Sequence, residues 1–387
     1  MLADTNVALG VTGSIAAVTT VELAHELRRA GASVRTVTTP SAEHIVHPWA
    51  LAFATDHDPV TEITGAVEHV DLCGREGWAD VLLVAPATAN TIGKVAAAVD
   101  DTPVTTCATT ALGAGVPVVV APAMHEPMYD HPGVLDAIDR VESWGVDFVD
   151  PRIEEGKAKI ASEEAIVTET ARATTAASLD GRHVVVTSGA TTESIDPIRT
   201  LSNRASGQTG RAIARACYVR GADVTLVHDG PAVPYADVRR VESAAEMREA
   251  VIAVADEADA LVSAAAIGDF TVETRSEKIR SGESLTLDLE PTPKLLDTVR
   301  DSHPDLTMVG FKAETSGDDD AMVERARALR DRVDLAFVVA NDATVMGEDE
   351  TRALVVGETT ETYAGSKTGL GARVASDLAA ALDGAGV

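Results

Sequence analysis

The chain has 387 residues and a formal net charge of −29, with 45% hydrophobic but only 3% aromatic residues. The length suits two α/β domains with a Val, Ala, Leu and Ile core, and the charge opposes binding to nucleic acid or an anionic membrane. Cys73, Cys107 and Cys217 are scattered with no CxxC pair, which argues against a disulfide framework or zinc site and for a reducing cytoplasm; a membrane-length apolar run and a signal-peptide pattern are also missing.

The opening stretch "NVALGVTGSIAAVTTVELAHELRRAGASVRTVTT" reads as strand, glycine turn, helix, strand. The apolar run at 7–11 suits a buried parallel strand. The amphipathic pattern from 15 to 30 predicts a helix that stops at Gly31. "ADVLLVAP" (79–86) and "VPVVVAPAM" (116–124) add strands separated by helical stretches, the rhythm of a doubly wound parallel sheet. "ARATTAASLDGR" (171–182) reads as the end of a helix and a linker, so the expected domains are 1–175 and 176–387. A second α/β pattern follows: strands in "HVVVTSGA", "DVTLVHDG", "ADALVSAAAIGDF" and "LAFVVAND", and a turn and helix in "SGQTGRAIARACYVRGA". The expected fold class is α/β, with two doubly wound Rossmann-like domains and no residue-level repeat.

Ligands bind at strand ends in such sheets. "GVTGSIAA" offers Gly13, Ser14 and backbone N–H groups at a helix start, a phosphate cradle without the GxGxxG pattern. "TTPSAEHIV" brings the hydroxyls of Thr39 and Ser41, and "APATANTIGKVA" brings Thr88, Asn90 and Lys94. "VEHVDL" carries His69. "APAMHEPMY" carries His125, which could bind an anion or accept a proton, with helix capping or packing as the alternative. "IEEGKAKIAS" holds Lys157 and Lys159, two of only seven lysines in the chain. In an extended flap both face one side, where they can meet a phosphate or carboxylate. The alternative is a solvated loop balanced by Glu154 and Glu155.

The ordered set "GSIAA", His69, "PATANT" and "PAMHEPMY" resembles the homo-oligomeric flavin-containing cysteine decarboxylases over nearly all of residues 5–170, phosphopantothenoylcysteine decarboxylases above all. The family motifs run approximately P-A-S-A-N-T and P-x-M-N-x-x-M-W. The resemblance implies a flavodoxin-like domain with bound FMN, which oxidises a cysteine thiol to a thioaldehyde that loses carbon dioxide. His69 matches the catalytic base. Gly13, Ser14, Thr39, Ser41, Thr88 and Asn90 match the cofactor site, and Asn90, His125, Lys157 and Lys159 the substrate site. This chain has His125 where the family has asparagine. It also lacks the cysteine that many members carry in a glycine-rich flap and use to protonate the intermediate. A different flavin enzyme or a non-catalytic FMN-binding scaffold is the competing reading.

In "TSGATTESIDPIRTLSNRASGQTGRAIA" (187–214), Gly207 and Gly210 let backbone N–H groups approach a phosphate at a helix start. The stretch resembles the phosphopantothenate–cysteine ligases, whose bacterial form has T-x-G-x-T-x-E-x-x-D-P-V-R followed by S-N-x-S-S-G. Asp269 in "AAAIGDF", Lys278 in "EKIRS", Phe311 and Lys312 in "VGFKAET", Asn341 and Asp342 in "ANDAT" and Lys367 in "GSKTGLG" follow in the family's order, over about 181–382. The "EKIRS" stretch departs from the bacterial K-x-K-K run, with Arg280 keeping one charge and Ser281 removing another.

The resemblance implies attack of the 4′-phosphopantothenate carboxylate on CTP, then attack of the cysteine amine on the acyl-cytidylate, with Mg²⁺ and lysines screening the triphosphate. Asn203 would contact the acyl intermediate and Phe311 the nucleotide. Asp269 and Lys278 would line the CTP site, Asp269 near the metal, with Lys312 as a further contact. His69, Asn203 and Lys278 form the expected catalytic set. Together the two halves imply a cytoplasmic, homo-oligomeric, bifunctional enzyme of coenzyme A synthesis that passes phosphopantothenoylcysteine from ligase to decarboxylase. The aspartate-rich, lysine-poor composition resembles that of salt-adapted archaeal proteins.

Overall fold

The computed structural model describes residues 1–280, 285–314, 318–342 and 350–384. The chain divides into two compact units, Met1–Thr175 and Ala176–Val387. Ser281 and the side chain of Asp342 lie outside the described residues.

In the first unit, strands β1 (Asn6–Val11), β2 (Ser33–Thr38), β3 (Val81–Ala87), β4 (Val118–Pro122) and β6 (Asp147–Phe148) form a parallel sheet in the order β2-β1-β3-β4-β6. Between β4 and β6 lies β5 (Met124–His125), which joins β7 (Arg152–Glu154) and β8 (Lys157–Lys159) in a small antiparallel sheet. The helices are α1 (Thr20–Arg29), α2 (Pro40–Glu43), α3 (Pro48–Thr55), α4 (Glu68–Cys73), α5 (Ala89–Ala96), α6 (Pro103–Ala114), α7 (Glu126–Tyr129), α8 (Pro132–Glu142) and α9 (Glu163–Thr174). All seven residues of β3 are buried, as a central strand covered on both faces requires. The helix expected from 15 begins instead as a 3₁₀ turn, Ile15–Thr19, and becomes α-helical at Thr20. The β-branched run Val18-Thr19-Thr20-Val21 crowds the first turns, and Ser14 caps the tighter turn.

In the second unit, β9 (His183–Thr187), β12 (Asp223–His228), β13 (Asp237–Arg240), β14 (Ala260–Ser263), β17 (Thr307–Glu314), β18 (Phe337–Asp342), β19 (Glu350–Val356) and β20 (Thr360–Ser366) form one sheet. Its order is β13-β12-β9-β14-β17-β18-β19-β20. The helices are α10 (Gln208–Val219), α11 (Ala244–Ala255), α12 (Leu295–Ser302), α13 (Asp319–Val333) and α14 (Lys367–Gly384). Two ribbons, β10 (Thr192–Ser194) with β11 (Thr200–Ser202) and β15 (Phe270–Val272) with β16 (Leu289–Pro291), stand outside it. Six strands are parallel, but β19 and β20 run antiparallel, so this sheet is mixed rather than purely doubly wound. A three-residue return at Gly357–Thr359 allows only a hairpin there; a parallel neighbour needs a crossover. Val184, Val186, Leu226 and Val262 are fully buried on one face with α10 and α14 residues; each such side chain contributes roughly 1.5–3 kcal/mol.

Candidate active sites

In the first unit the loops after β1, β2, β3 and β4 converge through hydroxyl groups. Thr12 donates to the Pro86 carbonyl at 2.7 Å and accepts from the Thr88 amide at 3.1 Å. Ser14 donates to the Ala123 carbonyl at 3.0 Å, and the Ala123 amide donates to Ala87 at 2.9 Å. Gly13 packs so tightly that an added Cβ would stand 2.4 Å from the Ser41 hydroxyl oxygen. Ser14, Thr39 and Thr88 cap the 3₁₀ turn, α2 and α5 in that order. Their hydroxyls serve the fold, leaving helix-start backbone and the exposed Asn90 on the first turn of α5 to face a ligand. Lys94 is paired with Asp101 at 2.8 Å.

His69 is the second residue of α4, whose entry turns through Val67 in the left-handed region. Its neighbour Glu68 takes the Thr64 hydroxyl and amide, which hold the carboxyl below its usual range. The Nδ1 of His69 is buried and has no hydrogen-bond partner. An orphaned polar atom of this kind fits a side chain that completes its bonding with a ligand.

The "IEEGKAKIAS" stretch is a hairpin. Glu155 and Gly156 turn with φ of 53° and 68°, the two positive values of a type I′ turn, for which glycine is suited. β8 pairs with β7 on one side and with β5 on the other, placing His125 opposite Lys157. Ala158 is buried on one face, while Lys157 and Lys159 alternate to the other. Lys159 Nζ lies 3.1 Å from Glu154 and 3.0 Å from Glu155, and the Glu155 hydrogen bond raises the ammonium pKa.

In the second unit a cavity of about 630 Å³ opens at the carboxyl ends of β9, β14, β17 and β18. One wall is the turn Asn203–Gly210 leading into α10. Ser188 Oγ donates to the Gly207 carbonyl at 2.8 Å, and Gly210 lies so close that a Cβ would meet Ser188 Cβ at 2.5 Å. Asp269, Lys294, Phe311 and Lys312 also line the cavity. Asn203 donates to the Ala266 carbonyl at 3.0 Å, and Lys367 Nζ to Gln208 at 2.7 Å. Lys294, the N-cap residue of α12, forms a short ion pair with Asp269. Among the described residues no cluster of three or more His, Cys, Asp or Glu is placed to hold a metal, and no helix is long and apolar enough to cross a membrane.

Residues 1–175 match the family described as Flavoprotein, and residues 179–382 match the DNA/pantothenate metabolism flavoprotein C-terminal domain. The coenzyme A biosynthesis bifunctional protein CoaBC of Thermococcus kodakarensis is 47% identical over 92% of this chain and 90% of its own length. This chain belongs to the CoaBC family. The CoaBC protein of Bacillus subtilis is 36% identical, over 90% of this chain and 88% of its own. Among solved structures, the FMN-dependent cysteine decarboxylase SpaF is 30% identical over 44% of this chain and 99% of its own, with a TM-score of 0.39. As a CoaBC protein the chain is a bifunctional enzyme of coenzyme A biosynthesis, a flavoprotein-family decarboxylase joined to a ligase.

Asn203, Asp269, Phe311 and Lys312 share the cavity of this CoaBC ligase unit, as do Asn341 and Lys367. Lys278, expected with them, is not among the lining residues. It is exposed on the loop after β15, and the backbone beside it is held elsewhere: the Ile279 amide donates to Asp196 at 3.0 Å. Burial would raise the Asp196 carboxyl pKa, but the Ile279, Ile198 and Arg199 amides and the Arg199 guanidinium hold it well below the usual range. Lys159, expected to meet a ligand, is committed to two glutamates of its own hairpin. Lys294 and Arg332 line the cavity without having been expected. The scarcity of lysine was the one signal that could have flagged Lys294.

Proposed function

We propose that the second unit joins 4′-phosphopantothenate to cysteine with CTP and that the first decarboxylates the product to 4′-phosphopantetheine. The observation that carries the proposal is the ligase cavity, which a glycine-rich helix start lines together with Asp269, three lysines and an aromatic ring. Helix-start N–H groups suit the triphosphate, and Lys294, Lys312 and Lys367 add charge around it. Phe311, half-buried against the core, offers a flat face to the base. The phosphopantothenate carboxylate attacks the α-phosphorus and pyrophosphate leaves; the cysteine amine then displaces CMP. Asn203 orients the acyl group. Asp269 would hold Mg²⁺, which would neutralise charge on the triphosphate. Lys278 is kept as a catalytic candidate on its separate loop.

In the first unit the helix starts at Ser14, Thr39 and Thr88 would hold FMN, with Gly13, Ser41 and Asn90 beside them. Bound FMN supplies the two-electron oxidation of the substrate thiol. His69 takes a proton from the substrate, using an imidazole with an unsatisfied buried Nδ1. Asn90 orients the substrate carboxylate, His125 contacts the substrate beside it, and Lys157 provides a cation. Trp49 and Phe53, one helical turn apart on α3, are 81% and 79% exposed, which supports a homo-oligomer. Release of about one FMN per chain on denaturation of the purified protein supports the cofactor assignment; a colourless protein that takes up no FMN contradicts it.

A further inference from the structure

His47, His125 and His131 all occupy helix N-cap positions with extended backbone. His47 and His131 use Nδ1 to accept the amide two residues on, at 3.2 Å and 3.1 Å. His125 makes no such cap, and its residue is exposed. The backbone around it is nevertheless tightly set. Ala123, two residues earlier, ties Ser14 to Ala87, and the Glu126 amide donates to Gly156 of the hairpin at 3.2 Å. His125 is therefore a fixed residue with an uncommitted ring, at the strand ends that carry Ser14 and Asn90.

This placement answers a need of the decarboxylase reaction, on which the inference rests. Loss of carbon dioxide from the thioaldehyde leaves an enethiolate, the flavin having taken two electrons in the preceding thiol oxidation. Restoring the saturated thiol takes a hydride equivalent from that flavin at one carbon and a proton at the other. The hairpin offers few acids. Arg152 does not give up a proton, glutamates are ionised near neutrality, and Lys159 is held by Glu154 and Glu155. Imidazole is the side chain whose ordinary range permits proton donation near pH 7. We propose that His125 is the acid that delivers this proton, with the cross-strand Lys157 holding the substrate's anionic group beside it.

The test mixes FMN-loaded full-length chain with phosphopantothenoylcysteine under anaerobic conditions, following the oxidised-flavin absorbance and the product mass. Wild-type protein is expected to regain oxidised flavin and release the saturated thiol. His125→Asn is expected to release carbon dioxide but regain oxidised flavin about 100-fold more slowly, with a product lighter by two hydrogens. Lys157→Gln is expected to weaken substrate binding and still give the saturated product. In flavin-free protein His125→Asn is expected to leave the melting temperature unchanged; a fall of several degrees would assign the ring to packing and overturn the proposal. So would a saturated product from His125→Asn at the wild-type rate, loss of its carbon dioxide release, or the lighter product from Lys157→Gln. No carbon dioxide from wild-type protein would overturn the decarboxylase reading itself.

Discussion

Lys294 pairs with Asp269 on the wall of the ligase cavity, joining the start of α12 to the loop before β15. The two side chains are 57% and 69% exposed, so the pair adds little to stability. Its value lies in position: the pair sets an ammonium group in the cavity lining, free to meet the triphosphate once Mg²⁺ takes Asp269. Lys294→Gln is expected to weaken nucleotide binding about tenfold, roughly 1.4 kcal/mol, with an unchanged melting temperature. Calorimetric titration with Mg-CTP checks this, and unaltered affinity would remove Lys294 from the site.

Asp196 makes the second unit acid-sensitive. Its folded pKa lies below the unfolded value, so its contribution is complete above the ordinary aspartate range near 3.9 and is lost as pH falls toward the folded value. Asp196→Asn is expected to lower the melting temperature at pH 7 and to narrow its gap from wild type as pH falls below about 4. Parallel melting curves across that range check the sign. A gap that widens in acid would contradict it.

The hairpin lysines should separate. Lys157→Gln is expected to raise KM for phosphopantothenoylcysteine severalfold, while Lys159→Gln leaves KM near wild type because Lys159 is already held by Glu154 and Glu155. Steady-state decarboxylation by the two variants decides it; equal effects would show that both lysines reach substrate.

Gly210→Ala places a methyl group where Ser188 already stands, with 2.5 Å to its Cβ. The expected cost is about 1–3 kcal/mol from overpacking, together with loss of nucleotide affinity as the turn shifts. Denaturant unfolding and CTP titration measure the two effects separately.

Much of this was legible in the chain. The buried runs at β1, β3, β4 and β9 identify parallel strands because both sheet faces are covered, and the glycine-bearing turns after them mark the ligand ends. The 3₁₀ start before α1 escaped detection because helical periodicity continues through Ile15–Thr19 while the β-branched run changes only the winding. The antiparallel β19–β20 pair escaped because β20, TETYAGS, is largely exposed and lacks the apolar run of a buried strand. Site residues divided by mechanism. Asn203 and Asp269 sit in motifs that also fix the loops, and their place in one cavity follows from those loops; Lys294 depends on a ribbon crossing back to the cavity, and Lys159 on which neighbour claims its charge. Such choices are made by tertiary geometry, not by local spacing.

The central claim is that one chain performs both reactions in sequence. Full-length protein incubated with 4′-phosphopantothenate, cysteine, CTP, Mg²⁺ and FMN tests it most directly, with all products followed by mass spectrometry. The expected result is transient phosphopantothenoylcysteine followed by 4′-phosphopantetheine, with His69→Asn stopping at the first of these. Ligation without any loss of carbon dioxide by wild-type protein, or decarboxylation undiminished in His69→Asn, would contradict it.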